Sequence, residues 1–407
     1  MKKNRKFLIG PFKQIVTFDN TPIKGALSDS DIQTLDGWIA IDAGNILEIG
    51  SRDDLVTKYS IEEIITLEGD HVAMPGFVDC HTHICFAGTR ANDFAMRNAG
   101  LSYLDIAKAG GGIWDSVTQT RKATLKELAA GVKRRGDKLF KRGVTTIEVK
   151  SGYGLTIEEE IKMLTAIKMA GKKTKSELVP TCLAAHIKPK DYLGTHAHYL
   201  ESMATGLFPE LKAQNLCNRI DAFIEEEAFS GEVVKSYFEA AKFMGFDLTV
   251  HADQFHSGGS AVAVEHQALS ADHLEASGPD EIALLSQSEV IAVALPGASI
   301  GIGCAFTPAR KILDAGGALA IASDWNPGSA PMGNLITQAS ILATFQKLTN
   351  AEVLAGVTYR AAAALNLHDR GRIVKGYKAD LAIYKISHYN EILYQQGELD
   401  PVLVMKG

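Results

Sequence analysis

The feature that most constrains this chain is an alternation. Between Val72 and Asp324, eight short apolar runs are separated by longer segments of helical periodicity. The runs are Val72–His81, Thr145–Lys150, Leu178–His186, Arg219–Glu225, Leu248–His251, Ala268–His273, Val290–Leu295 and Leu319–Asp324, and the intervening helices include Thr124–Phe140, Ile157–Lys173 and Gly231–Met244. Strand alternating with helix is the pattern of a parallel α/β fold, and eight repeats suit a (β/α)8 TIM barrel. A doubly wound open sheet fits the same periodicity. The polar residues favour the barrel, because nearly every run ends in His, Glu, Lys or Asp, and barrel active sites lie at the carboxyl ends of the strands.

The flanks read differently. Gly37–Ser51 has the pattern of a hairpin turning at Ala43-Gly44-Asn45, and Gly371–Ile386 that of two strands around Gly376-Tyr377-Lys378. The expectation is a small composite β-sandwich domain built from 1–71 and 355–407, with the barrel in 72–354. A chain of 407 residues with 46% hydrophobic and 22% charged residues can bury such a core. Its net charge of −6, with no long basic run, makes nucleic acid and anionic membranes poor partners. The start, MKKNRKFLIGPF, lacks a long apolar stretch and a cleavage site, so export is not expected. The uncharged segment Val290–Ala309 is broken by Pro296, Gly297, Gly301, Gly303 and Pro308, which predicts a buried strand running into a loop rather than a membrane span. Five scattered cysteines (Cys80, Cys85, Cys182, Cys217, Cys304) point to a reducing, cytoplasmic setting.

Four strand-end residues carry the chemistry. In AMPGFVDCHTH, His81 and His83 are two apart and so project from one face of an extended segment. His251 closes the fifth run and Asp324 the eighth. Taken singly, each has an ordinary structural role: a loop or core histidine satisfied by hydrogen bonds, or a helix N-cap before a Pro-Gly turn. Together, three imidazoles and a carboxylate form a donor set suited to Zn²⁺ or iron and too rich in nitrogen for Ca²⁺ or Mg²⁺. The glycines at 110–112 lack a P-loop lysine and read as a mobile loop near the site.

This arrangement resembles the amidohydrolase superfamily. The stretches Arg97–Ile113 (RNAGLSYLDIAKAGGGI), Glu148–Leu155 (EVKSGYGL), Ser270–Glu275 (SADHLE) and Ser323–Pro331 (SDWNPGSAP) are similar to those of its imidazolonepropionase family, nearly end to end. The resemblance implies hydrolysis of the ring C–N bond of 4-imidazolone-5-propanoate to N-formimidoyl-L-glutamate, a step of histidine breakdown. It implies one metal ion per chain, Zn²⁺ or Fe²⁺/Fe³⁺, held by His81, His83, His251 and Asp324. Asp324 would also move the proton of the attacking water, and His273 would hold the nucleophile or the oxyanion. Arg90 would grip the substrate carboxylate, with Tyr153, His186, Asn326, Gly328 and Ser329 around the ligand. A homodimer is compatible with the family.

Three positions qualify the resemblance. Where some family members carry a glutamate thought to handle a proton, this chain has Gln254, an amide that hydrogen-bonds but cannot act as a base. Lys150 closes the second run, earlier than the lysine that bridges two metals in other amidohydrolases, so one metal is expected. Cys85 shares parity with the two histidines but reads as a loop thiol. The competing functions are another mononuclear amidohydrolase, such as a nucleobase deaminase, and a metal-free scaffold on the same fold. The sequence predicts that His251→Ala loses both bound metal and turnover, which metal analysis of the purified variant checks directly.

Overall fold

The computed structural model describes residues 6–101, 105–106 and 109–407. Positions 1–5 of the basic start, and 102–104 and 107–108 within the Arg97–Ile113 motif, lie outside the described residues. The chain opens with β1 (Phe7–Val16), β2 (Thr34–Asp42), β3 (Asn45–Gly50), β4 (Glu63–Thr66) and β5 (Val72–Pro75). β2 and β3 form the expected hairpin; Ala43 and Gly44 both take positive φ, 49° and 83°, as a tight two-residue turn requires.

Eight parallel strands follow: β6 (Phe77–Asp79), β7 (Val144–Lys150), β8 (Glu177–Ala185), β9 (Arg219–Phe223), β10 (Asp247–Ala252), β11 (Ser270–His273), β12 (Ile291–Ala294) and β13 (Leu319–Ile321). They pair in strict chain order from β6 to β13, and helices follow the strands, as a (β/α)8 barrel requires. Local sequence fixes the helix starts. Leu125–Lys141 begins at a Thr124–Glu127 capping box, and Ile157–Gly171 at the Thr156 hydroxyl, which accepts from the Glu159 N–H. β13 meets β6 beyond the strand ends. There the Asp324 N–H donates to the His81 carbonyl at 3.0 Å, and the His83 N–H donates to the Trp325 carbonyl at 3.0 Å. Just below, Asp79 accepts from the Ser323 N–H at 2.9 Å and from its hydroxyl at 2.6 Å.

The last strands, β14 (Leu381–Tyr384) and β15 (Leu403–Met405), return to the first sheet, which runs β15-β14-β5-β1-β2-β3 with β4 also on β1. This differs from the expected β-sandwich. Hydrogen bonds join all seven strands into one sheet because the long β1 pairs with β2 along its whole length and, on its other edge, with β4 along its first half and β5 along its second. The boundaries at 72 and 355 move as well. Val72–Pro75 pairs with β1 and β14, so the first run is two strands split at Gly76, and the barrel begins at Phe77. The helix Tyr359–Ala364 packs on β6, β12 and β13, its alanines meeting Ala320 and Ala322.

Two local expectations change. Of Gly371–Ile386 only Leu381–Tyr384 is a strand, because the preceding turn is recruited by the first hairpin: Ile46 N–H donates to Tyr377 O and Gly376 N–H to Ile46 O, both at 2.8 Å. After β12 the chain forms the short helix Pro296–Ile302, begun by proline at its first position and ended by left-handed Gly303 (φ 73°), rather than running straight into a loop. No described helix is long and apolar enough to cross a membrane.

Gly76 is the join between the two sheets, and a Cβ there would overlap the Thr145 side chain. Gly76→Ala should therefore destabilise the protein by about 1–3 kcal/mol through overpacking, with part of the loss recovered by a second change, Thr145→Ala, in denaturant titrations.

Candidate metal centre

The carboxyl ends of the barrel strands bring His81, His83 and His251 together, all three buried, with one nitrogen of each within 4.8 Å of the others. Nε2 of His83 lies 3.2 Å from Nε2 of both His81 and His251. Asp324 Oδ1 is 3.5 Å from Nε2 of His81 and of His83 and has no hydrogen-bond partner. Its other oxygen, Oδ2, accepts from Asn326 Nδ2 at 2.9 Å.

Second partners fix the tautomers. His81 Nδ1 stands 2.6 Å from Asp272 Oδ2, and His251 Nδ1 2.9 Å from Asp221 Oδ2. The hydrogen bond to Asp272 holds the His81 ring proton at Nδ1 and leaves its Nε2 as a bare lone pair. Burial pushes the pKa of His81 and His83 well below the ordinary histidine value, helped for His81 by the Lys150 charge, so both rings are neutral. Converging lone pairs and an unpartnered buried carboxylate oxygen repel one another unless a cation lies among them. Tetrahedral bonds of about 2.0–2.1 Å place donors about 3.3 Å apart, close to the spacings found here. The residues fit a divalent metal.

Beneath this cluster lies a charged layer. Lys150 Nζ donates to Glu148 Oε1 at 2.8 Å, stands 2.8 Å from Asp221 Oδ2 and 3.7 Å from Asp272 Oδ2, and is fully buried. Although burial opposes its charge, Asp221, Glu148 and Asp272 overcome it and raise the Lys150 pKa. A permanently protonated amine is a poor candidate for the carbamylated, metal-bridging lysine, in keeping with a single metal.

His273 ends β11 with its ring 5.4 Å from His251 and 5.8 Å from His81, centroid to centroid, and Nδ1 3.4 Å from Glu275 Oε2. Burial disfavours its charge, yet Glu275, then Asp324 and Asp272, outweigh burial and raise its pKa. His273, Leu274 and Asp324 take φ of 87°, 70° and 48°, a region costing about 1–3 kcal/mol per side-chain-bearing residue, so the mouth holds strained backbone.

On the open side, Tyr153 and His186 face the cluster. His83 lies 5.5 Å from His186 and 6.0 Å from Tyr153, and Tyr153 and His186 are 5.5 Å apart, all between ring centroids. His186 Nδ1 is 3.0 Å from the Gly152 carbonyl, and burial lowers its pKa to about 3. Gly152 adopts φ 100°, and a Cβ there would press on Leu183 O at 2.9 Å, so the close approach read from the sequence is enforced. The loop carrying Tyr153 hangs on buried Glu160, which accepts N–H bonds from Gly152, Gly154 and Leu155 at 3.1, 2.9 and 2.8 Å.

Arg90 caps the helix Ala91–Asn98 and is mostly buried, not a solvated loop residue. Its Nε donates to Asp93 Oδ2 at 2.7 Å, and its Nη1 packs against Gly328 with no room for a Cβ. Asp93 also accepts the Gly112 N–H at 2.8 Å, so the glycines at 110–112 wrap a buried carboxylate rather than hang free. Asn326 is saturated within its own loop: its Oδ1 accepts the Gly328 and Ser329 N–H groups at 2.7 and 2.8 Å, and its Nδ2 donates to Ser329 Oγ at 2.8 Å. It therefore aims Asp324 instead of facing a ligand. Gln254 is half-buried two residues beyond β10, while Asp253 is spent on the Ser260 and Ser277 hydroxyls. Cys85 is a buried core thiol, its pKa raised to about 12 by burial, and not part of the cluster.

An amidohydrolase family model matches residues 100–393. Curated relatives named imidazolonepropionase include those of Paracoccus denitrificans (42% identical over 363 residues, 89% of this chain and 90% of that protein) and Alkaliphilus oremlandii (39% over 376 residues, 90% and 89%). That of Herpetosiphon aurantiacus is 36% identical over 409 residues, 98% and 95%. Among solved structures, an adenosine deaminase from Xanthomonas campestris with bound zinc has a TM-score of 0.69 at 18% identity, covering 98% of this chain and 90% of that one. A triazine hydrolase variant has a TM-score of 0.72 at 16% identity, covering 98% and 93%. At such identities these structures share the fold.

Because Asn326 leaves Asp324 Oδ1 as the free oxygen, Asn326→Ala should weaken metal binding by about 10–100-fold without unfolding the barrel, read by chelator competition and circular dichroism.

Proposed function

The chain belongs to the imidazolonepropionase family of amidohydrolases, and from that premise we propose the role of each group at the barrel mouth. The reaction is metal-dependent hydrolysis of a cyclic amide C–N bond in histidine degradation: 4-imidazolone-5-propanoate opens to N-formimidoyl-L-glutamate. His81, His83, His251 and Asp324 Oδ1 hold one ion, Zn²⁺ or Fe²⁺/Fe³⁺, the metals that suit three imidazoles and one carboxylate. When bound, the ion lowers the pKa of water toward about 7 and polarises the carbonyl under attack.

The protein groups do the rest. Asp324 accepts the proton shed by the attacking water and returns it to the ring nitrogen, as the water oxygen bonds to the carbonyl carbon, the bond from that carbon to the ring nitrogen breaks, and the new carboxyl group loses its remaining proton to solvent. His273, steadied by Glu275, donates to the oxyanion. Arg90 has Nε committed to Asp93, which orients the guanidinium and leaves its outer nitrogens for the substrate's propanoate. Tyr153 and His186 wall the imidazolone ring beside His83; Gly328 and Ser329 complete the cover, with Gln254 at the rim. The five free cysteines support a cytoplasmic setting.

The observation that carries this reading is the unpartnered Asp324 oxygen facing Nε2 of His81 and of His83. Purified protein is expected to turn over 4-imidazolone-5-propanoate and leave nucleobases unchanged, and Arg90→Ala to raise KM strongly with metal content intact. Turnover of nucleobases alone would reject the assignment, and an unaltered KM would remove Arg90 from the pocket.

A further inference from the structure

The layer below the metal ligands is not what a barrel interior ordinarily contains. Such layers are filled by branched apolar side chains, and a buried ion-pair network is seldom more stable than the hydrocarbon that could replace it. Here Glu148, Lys150, Asp221 and Asp272 are all buried, and Arg219 Nε lies 4.0 Å from Glu148. The ammonium of Lys150 stands at the centre. It touches Asp221, which backs His251, and it approaches Asp272, which backs His81, while Glu148 tethers it from the far side with help from the Thr181 hydroxyl at 2.6 Å.

We propose that Lys150 is a positioning residue for the metal centre: one ammonium joins the two carboxylates that orient His251 and His81, so that both imidazoles are set as a unit. The inference rests on the ligand assignment above. Lys150 touches neither substrate nor reacting atoms. It acts by offsetting the repulsion between the two carboxylates, and by fixing how far each is drawn toward its histidine. β7, β9 and β11 supply the three groups, so the ammonium also ties three strands at the depth where the ligands diverge.

The test uses Co²⁺ titrated into the full-length, metal-stripped protein, with chelator competition for affinity and visible absorption bands for coordination geometry. Lys150→Met leaves Glu148 without its cation, so the double variant E148Q/K150M, which removes both charges, is measured beside it, with E148Q alone as control. The expected result is that E148Q/K150M unfolds cooperatively yet binds Co²⁺ about 10–100-fold more weakly than E148Q alone, with altered bands. A folded E148Q/K150M with parental affinity and spectrum overturns the proposal. Failure of both Lys150 variants to fold overturns it too, since the ammonium would then be a requirement of the core. His251→Ala separates the two readings: if it keeps Co²⁺, the ligand assignment falls; if it loses Co²⁺ while E148Q/K150M keeps it, only the role of Lys150 falls.

Discussion

The molecule depends on a seam. A barrel is useful only if its first and last strands meet, and here β6 and β13 do so above their ends, through backbone bonds made by residues of the His81–His83–Asp324 cluster. The bond from Asp324 N–H to His81 O, and that from His83 N–H to Trp325 O, set the aspartate against two histidines by main-chain geometry before any side chain is considered. Asp79 fastens the same seam from below through Ser323, and burial raises its pKa to about 7. Closure and ligand placement are one event in this chain.

Electrostatics imposes the second condition. Glu148, Asp221, Asp272 and Asp324 are buried in one region, with Lys150 and Arg219 as the cations beside them among the described residues. Charges removed from water are tolerated when paired and hydrogen-bonded, and the donors here come from nearly every strand of the barrel. The layer thus turns a metal requirement into a demand on the whole sheet.

Much of this was legible in the residues. Strands show a period of two, and a polar residue at the end of an apolar run marks the barrel mouth, so the eight barrel strands and the convergence of His81, His83, His251 and Asp324 are legible in the residues. The supporting groups were harder to see. Glu148, Asp221 and Asp272 sit inside the runs, and nothing in the motifs that hold Glu148 and Asp272 shows which groups they back, although Glu148 two residues before Lys150, and Asp79 two before His81, share the inward face and are the available signal. Asn326 was read as touching a ligand, because a sequence does not show that three neighbouring loop N–H groups and Ser329 already occupy an amide. The split at Gly76 has a local signal in the Pro75-Gly76 dipeptide, but what divides the run is partner choice, β14 for one half and β7 for the other. The second hairpin failed for a similar reason, its turn being claimed by a distant loop.

The seven-stranded sheet has one consequence for how the chain comes into being. β5 emerges from the ribosome early, but its outer neighbour β14 is encoded about 300 residues later, an interval of about 15–60 s at ordinary rates of translation. Throughout that time the edge of β5 is bare, an invitation to pair with the wrong strand or with another nascent polypeptide. The final stretch of the message therefore decides when the earliest-made sheet becomes safe.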